Sequence, residues 1–334
     1  MSHLRSLLAA ALAVSVASAG VIAGAAPAAA GPGYSPVHDP VRYVDPLIGT
    51  AGGGNTYPGA VVPFGMISWS PTNTAGDQTN APAANGYSYN TTRLRGFALT
   101  HVNGAGCAPG AAGDVPIMPH VGEVDSSPTA DTKDEIYASD FKHENETAVP
   151  GRYTVTLDSG AKADLSVTTR AGVGEFTFPK GRPAALLFRV SNSLNGSEDA
   201  EITIDPARRT VTGSVLTGAF CGRRANGGEN NRRSYYRLHF VATFDRDFSG
   251  HGTWVDDELR RGATTARGGE GYATGADRAG RGSGGYVTFD TSRDTDVLVK
   301  IGISYTSLEA ARRNLEHEVK RNDDVDKVAA AARR

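Results

Sequence analysis

The residues of this chain best suited to chemistry fall in two glycine-rich loops. The first reads Gly49-Thr50-Ala51-Gly52-Gly53-Gly54-Asn55-Thr56-Tyr57-Pro58-Gly59. Its glycine spacing approaches that of a phosphate-binding loop, but Asn55 stands where such a loop needs lysine, and no strand-then-helix pattern surrounds it. Without that counter-charge a nucleotide reading fails. What remains is a flexible turn or a backbone-lined loop that approaches a polar ligand closely because glycine has no side chain. The second loop runs from Gly96 through Thr100, His101 and Gly106 to Cys107, followed by Gly113-Asp114. His101 and Asp114 could act as an acid/base pair, with Cys107 as a nucleophile activated by His101; the alternative is that these are solvated or structural loop residues. No triad signature is present, and no Cys-x-x-Cys or His-x-x-x-His spacing suggests a zinc site.

The elements that must carry these loops are strands. From Tyr153 onward short runs of alternating apolar and polar residues, rich in Val, Thr and aromatics, are separated by Gly, Asn, Asp or Pro. The runs are 153–157, 163–169, 174–178, 185–190, 201–204, 210–216, 235–244, 286–289 and 297–305, a pattern that predicts a mainly β fold, a large antiparallel β-sandwich. In the run from Tyr235 to Phe244 the even positions are apolar and the odd ones mostly polar, as in a half-buried strand. Residues 45–119 are neither alternating nor helical, and 222–231 and 262–285 read as long Gly- and Arg-rich surface loops.

Both ends differ from the middle. Residues 1–30 have the basic start, short apolar run and Ala28-Ala29-Ala30 ending of a secretory signal, which predicts cleavage after Ala30 and a secreted product. In an oxidising compartment Cys107 and Cys221 are expected near each other, bridged or lining one pocket. At the other end Thr306-Ser307-Leu308-Glu309 is a capping box, after which Leu308, Ala311, Leu315 and Val319 share one helical stripe. A second helix is expected to start near Asp324 with Val325, Val328 and Ala329 as its apolar face. No third element follows to bury these stripes, so they are expected to be exposed. The implied domains are 1–30, the signal; 31–306, the sandwich; and 307–334, linker helices.

Composition excludes other classes of partner. The 34 basic and 36 acidic side chains leave a formal charge of −2, without the net basic face that nucleic acid or anionic lipid requires. The 41 glycines and the scarcity of helix-favouring runs before position 307 exclude a helical bundle for most of the chain.

Several motifs, taken in order, resemble one family. Asp45-Pro46-Leu47-Ile48-Gly49-Thr50, Gly54-Asn55-Thr56-Tyr57-Pro58-Gly59-Ala60, Pro63-Phe64-Gly65-Met66, Gly86-Tyr87-Ser88-Tyr89, Gly96-Phe97-Ala98-Leu99-Thr100-His101 and Gly218-Ala219-Phe220-Cys221-Gly222 are similar to the N-terminal domain of glycoside hydrolase family 92. The resemblance implies calcium-dependent exo-α-mannosidases. It also implies a galactose mutarotase-like supersandwich joined by linker helices to an (α/α)6 barrel, with the sugar between them. Inverting hydrolysis there uses a glutamic acid and an aspartic base on the barrel, about 6.5 to 9.5 Å apart. Ca2+ is held largely by the barrel too. On this reading the chain stops in the linker helices, and the missing catalytic barrel is its natural partner. It carries no catalytic residue and no metal ligand of its own. Its expected contribution is one wall of a cleft for mannose-containing glycans, through Gly54, Asn55, Thr56, Tyr57, His101, Cys107, Asp114, Phe220 and Cys221. The rival is a stand-alone carbohydrate-binding sandwich without hydrolytic activity.

Overall fold

A computed structural model describes residues 37–52, 54–73, 85–104, 112–194, 196–218, 235–270 and 280–334. The signal segment, Cys107, Phe220 and Cys221 lie outside the described residues, and with them the expected cleavage site and cysteine pairing. One compact unit spans Val41–Arg334.

Among the described residues eighteen strands form two antiparallel sheets. The N-terminal strands are β1 (Ala60–Val61), β2 (Ser68–Thr72), β3 (Arg93–Leu94), β4 (Gly96–Ala98), β5 (Ile117–Val121) and β6 (Ser139–Val149). Then come β7 (Arg152–Leu157), β8 (Lys162–Val167), β9 (Ala171–Thr177), β10 (Ala184–Phe188), β11 (Ser197–Asp205) and β12 (Thr210–Thr217). The last are β13 (Tyr236–Phe244), β14 (Gly250–Val255), β15 (Glu258–Arg261), β16 (Thr265–Arg267), β17 (Ser283–Phe289) and β18 (Asp296–Ser304). One sheet has the order β1-β2-β4-β5-β10-β17-β14-β15, the other β16-β11-β12-β13-β18-β9-β8-β7-β6-β3. A single apolar core joins them, with Trp69, Phe97, Phe176, Phe188, Phe240 and Trp254 fully buried.

All nine runs read from alternation are strands, which makes the chain the mainly β sandwich its sequence predicts. Strands outside that pattern are those whose residues do not alternate. β1 to β4 and the start of β5 lie within 45–119, and β6 is dense in charge. β16 and the start of β17 fall inside 262–285, which is therefore not a continuous loop.

The C-terminal helices overturn an expectation. α1 (Leu308–Glu318) and α2 (Val325–Ala332) do carry the expected stripes, but the stripes are not exposed. Ala311, Leu315, Val319, Val325 and Val328 are buried in a second apolar cluster with Ala171, Val173 and Val241, on the outer face of the ten-stranded sheet. The physical reason is visible in the register. Val241 is opposite Gly302, where a Cβ would stand 2.4 Å from the Ala311 carbonyl oxygen, so the missing side chain lets α1 lie directly on the sheet. Glu318 locks the end of α1 through bonds from the Thr168 hydroxyl and the Arg170 amide, each at 2.7 Å. The N-cap is Ser307, one residue later than the capping box implies: its Oγ accepts the Ala310 amide at 3.0 Å, while Glu309 pairs with Arg313 instead of closing the box. Asp324 caps α2 by accepting the Lys327 amide at 2.8 Å. No helix among the described residues is long and apolar enough to cross a membrane.

Candidate functional site

The two glycine-rich loops meet. The Gly104 amide donates to the Asn55 carbonyl at 2.8 Å, and Asn85 holds the Thr56 carbonyl with its side-chain amide. Between them sits His101, whose backbone amide donates to Ser68 Oγ at 2.8 Å and whose Nδ1 faces the Ser68 carbonyl at 3.0 Å. That contact assigns the proton to Nδ1 and leaves a lone pair on Nε2, with the Thr72 hydroxyl at 3.5 Å. Burial lowers the His101 pKa to about 4, opposed only in part by the Ser68 bond, so the ring is neutral near pH 7. The Tyr57 ring packs against it at 4.8 Å. Gly86, at φ +94°, closes over the imidazole edge: a Cβ there would reach Nε2 at 3.6 Å and press on Leu194 at 2.9 Å.

Leu194 leads to a second cluster. Asp114 is fully buried and its carboxylate accepts three hydroxyl bonds, from Ser193 at 2.5 Å, Thr100 at 2.7 Å and Tyr236 at 2.8 Å. Burial pushes the Asp114 carboxyl up, and these three donors oppose the rise by solvating the anion. Burial and the neighbouring Asp114 together push the Tyr236 hydroxyl up, so it stays a donor. Tyr305 packs edge-on to Tyr236 at 5.5 Å.

A third cluster is centred on β6. The β6–β7 register shifts between Phe141 and Glu146, and this irregularity turns Glu146 inward. Its side chain is wholly buried and accepts the Tyr153 hydroxyl at 2.6 Å, the Tyr87 hydroxyl at 2.8 Å and His143 Nδ1 at 2.7 Å.

The structure thus brings Asn55, Thr56, Tyr57 and His101 together and sets Asp114 behind them, with Asp114 and Tyr57 engaged inside the protein. Asp114 is not a solvent-facing hydroxyl binder, because its oxygens are already occupied by protein hydroxyls. Tyr57 is 9 % exposed and uses its ring to prop His101. Gly54 is a glycine for the loop's own sake, since a Cβ would stand 2.4 Å from the Gly49 carbonyl oxygen. The groups that do face outward are Gly52, Gly54 and, in part, Asn55, Thr56 and His101. Sequence reading missed the roles of Ser68, Thr100, Ser193, Tyr236, Glu146 and His143; Glu146 and His143 share β6, and the others come from separate parts of the chain. The assembly can hydrogen-bond hydroxyls through backbone, amide and imidazole. Both of its buried carboxylates, Asp114 and Glu146, are held by protein donors rather than presented as an acid/base pair. Among the described residues no group of three or more His, Cys, Asp or Glu is placed to hold a metal ion together.

Comparison with known proteins follows the same lines. The sequence model of the glycosyl hydrolase family 92 N-terminal domain matches residues 43–304. An uncharacterized secreted glycosidase of Arthroderma benhamiae is 25 % identical over 304 residues, which cover 88 % of this chain and 37 % of that protein. Among solved structures, the family GH92 α-mannosidase BT3965 of Bacteroides thetaiotaomicron in complex with mannoimidazole aligns with a TM-score of 0.70 and 29 % identity, over 89 % of this chain and 36 % of that one. The family GH92 inverting mannosidase BT2199 of the same organism aligns with a TM-score of 0.67 and 28 % identity, over 88 % and 35 %. The chain therefore spans about a third of the length of the relatives it matches.

Proposed function

Because this chain belongs to glycosyl hydrolase family 92, matching its N-terminal domain over residues 43–304, we propose that it forms one wall of the sugar cleft of a secreted exo-α-mannosidase acting on mannose-containing glycans by inversion. The observation that carries this reading is the convergence of both glycine-rich loops on a neutral His101 whose Nε2 lone pair is held in one orientation. A wall of that kind orients a sugar by accepting and donating hydroxyl bonds while a water and two separated carboxyls act from the opposite side. Those carboxyls, and the Ca2+ that would help position the sugar, belong on this proposal to the part of the relatives beyond the matched third. Here Asp114 and Glu146 are internal braces that keep the loops in register. Export through the first thirty residues is part of the same proposal, supported by the secreted relative.

A second reading, a free-standing carbohydrate-binding module, is favoured by the burial of both helical stripes against the sandwich, since the unit then covers its own apolar surface. Hydrolysis separates the two from a third possibility. Purified chain is assayed on an aryl α-mannoside and on α-linked mannobioses, with calcium and with chelator. The expected result is no turnover, because general acid and base each contribute about 10²- to 10⁴-fold and neither is presented here. Calcium-dependent hydrolysis that disappears in His101→Ala or Asp114→Asn would place the chemistry in this chain and overturn the proposal. Restoration of turnover by a separately produced C-terminal portion of a relative would favour the cleft wall over the module.

A further inference from the structure

The nitrogen that joins the two glycine-rich loops belongs to an Asn-Gly pair. Asn103 precedes Gly104, and both residues are exposed at a bend. Gly104 has φ +72°, and a Cβ there would meet nothing within 4 Å, so the side of the residue that a side chain would occupy is open. Among the described residues nothing bonds the Asn103 side-chain amide. In such a pair the glycine nitrogen can reach the asparagine Cγ, with no side chain of its own in the way. The same dipeptide recurs at Asn85-Gly86 in the opposite setting. Asn85 is fully buried, its Nδ2 donates to the Thr56 carbonyl, and its Oδ1 accepts the Tyr87 amide at 3.1 Å. One Asn-Gly pair is thus open to water, and the other is pinned at both ends of its side-chain amide in the interior.

We propose that Asn103 is a site of spontaneous deamidation, gated by the junction of the two loops. The Gly104 nitrogen attacks Asn103 Cγ, a C–N bond forms to close a succinimide, and the bond to the side-chain nitrogen breaks. That nitrogen leaves as ammonia with the proton given up by Gly104. Water then opens the ring at either carbonyl and returns a proton to the Gly104 nitrogen, giving aspartate, or isoaspartate with a longer backbone. The net change is asparagine and water to a carboxylic acid and ammonia, with nothing oxidised or reduced. The gate is the hydrogen bond itself. Gly104 donates its proton to the Asn55 carbonyl at 2.8 Å, and a succinimide nitrogen has no proton to donate. Loop contact and ring closure therefore exclude each other, and the junction has to open before the reaction proceeds. The product carries a carboxylate two residues from His101, and in the isoaspartyl form the longer backbone shifts the Gly104 amide away from Asn55. The modification depends on the loop junction alone, whatever ligand the loops bind.

The full chain is incubated at mildly alkaline pH in buffer and, in parallel, in urea that unfolds it. Peptide mapping by mass spectrometry follows conversion at each Asn-Gly pair, and labelling by an isoaspartyl methyltransferase identifies the isoaspartyl product. In buffer Asn103 is expected to convert more than about 10-fold faster than Asn85, because the buried pair reacts only from a costlier opening. In urea the two rates should converge, and that of Asn103 should rise about 2- to 12-fold over its value in buffer, the range that one net hydrogen bond provides. Asn103→Gln, whose longer side chain closes a ring far more slowly, should lose the conversion at this position with unchanged melting, which assigns the signal. Conversion in buffer no faster at Asn103 than at Asn85 overturns the site. Equal rates at Asn103 in buffer and in urea overturn the gate.

Discussion

The helix-covered face of the ten-stranded sheet and the loop end that carries His101 bury their side chains by opposite means. Under the helices the contact is apolar: Ala171, Val173 and Val241 meet Ala311, Leu315, Val319, Val325 and Val328, with polar bonds only at the margin, such as Lys300 Nζ to the Lys320 and Arg321 carbonyls. At the loop end the buried groups are Asp114, Glu146, Asn73 and Asn85, each matched to particular donors or acceptors. Apolar packing is nearly non-directional, so its contributions are many and graded. A buried carboxylate instead depends on a complete partner set, and removal of one member leaves the others unsatisfied. The first arrangement suits a surface that only has to stay covered. The second suits loops whose backbone must hold one shape for a ligand.

The largest expected effect tests the covered face. Removal of 307–334 should expose the centre of the sheet and give a species that binds hydrophobic dyes and aggregates more than the full chain, as followed by dye fluorescence and light scattering. A truncated product as urea-resistant as the full chain would mean the helices cover the sheet without stabilising it. Next in size, Asp114→Ala orphans the Ser193, Thr100 and Tyr236 hydroxyls in the interior and should lower unfolding stability by about 3 to 5 kcal/mol in urea titrations. Asp114→Asn, which keeps one acceptor oxygen, should lose less; equal losses would show that the charge, not the bond count, holds the loops.

A smaller effect depends on pH. His101 titrates near pH 4 when folded and near 6.5 when unfolded, so the unfolded chain binds the extra proton between those values. Its contribution is fully present above about pH 6.5 and is lost as pH falls toward 4, up to about 3 kcal/mol. The measurement is the difference in unfolding free energy between wild type and His101→Gln across that window; a pH-independent difference would mean that the imidazole is not desolvated. Smallest is Ser307→Ala, which leaves the Ala310 amide without its cap and should cost about 1 kcal/mol, read as a modest drop in thermal midpoint. Were its effect as large as that of Asp114→Ala, the helix-covered face would be as all-or-none as the loop end.

What the sequence determined by itself is what local periodicity encodes. The alternation from Tyr235 to Phe244 fixed which face of β13 enters the core, and the stripes of α1 and α2 fixed which faces those helices would bury. The order of its glycine-rich motifs also pointed to the family. Tertiary structure alone decided what those faces and motifs meet. Only the folded chain shows that Gly302 admits α1 onto the sheet, that Gly54 is small for the sake of Gly49, and that Tyr57 lies under His101. Asp114 looked available as a loop carboxylate because its partners are distant in sequence: Ser193 is 79 residues away and Tyr236 is 122. Glu146 and His143 were invisible for a related reason, since a strand as charged as β6 gives no alternation to read, and its irregular register against β7 sends Glu146 into the interior. Periodicity reports which side of an element prefers water, whereas a hydrogen-bonded site is defined by the partners that long-range chain closure brings to it.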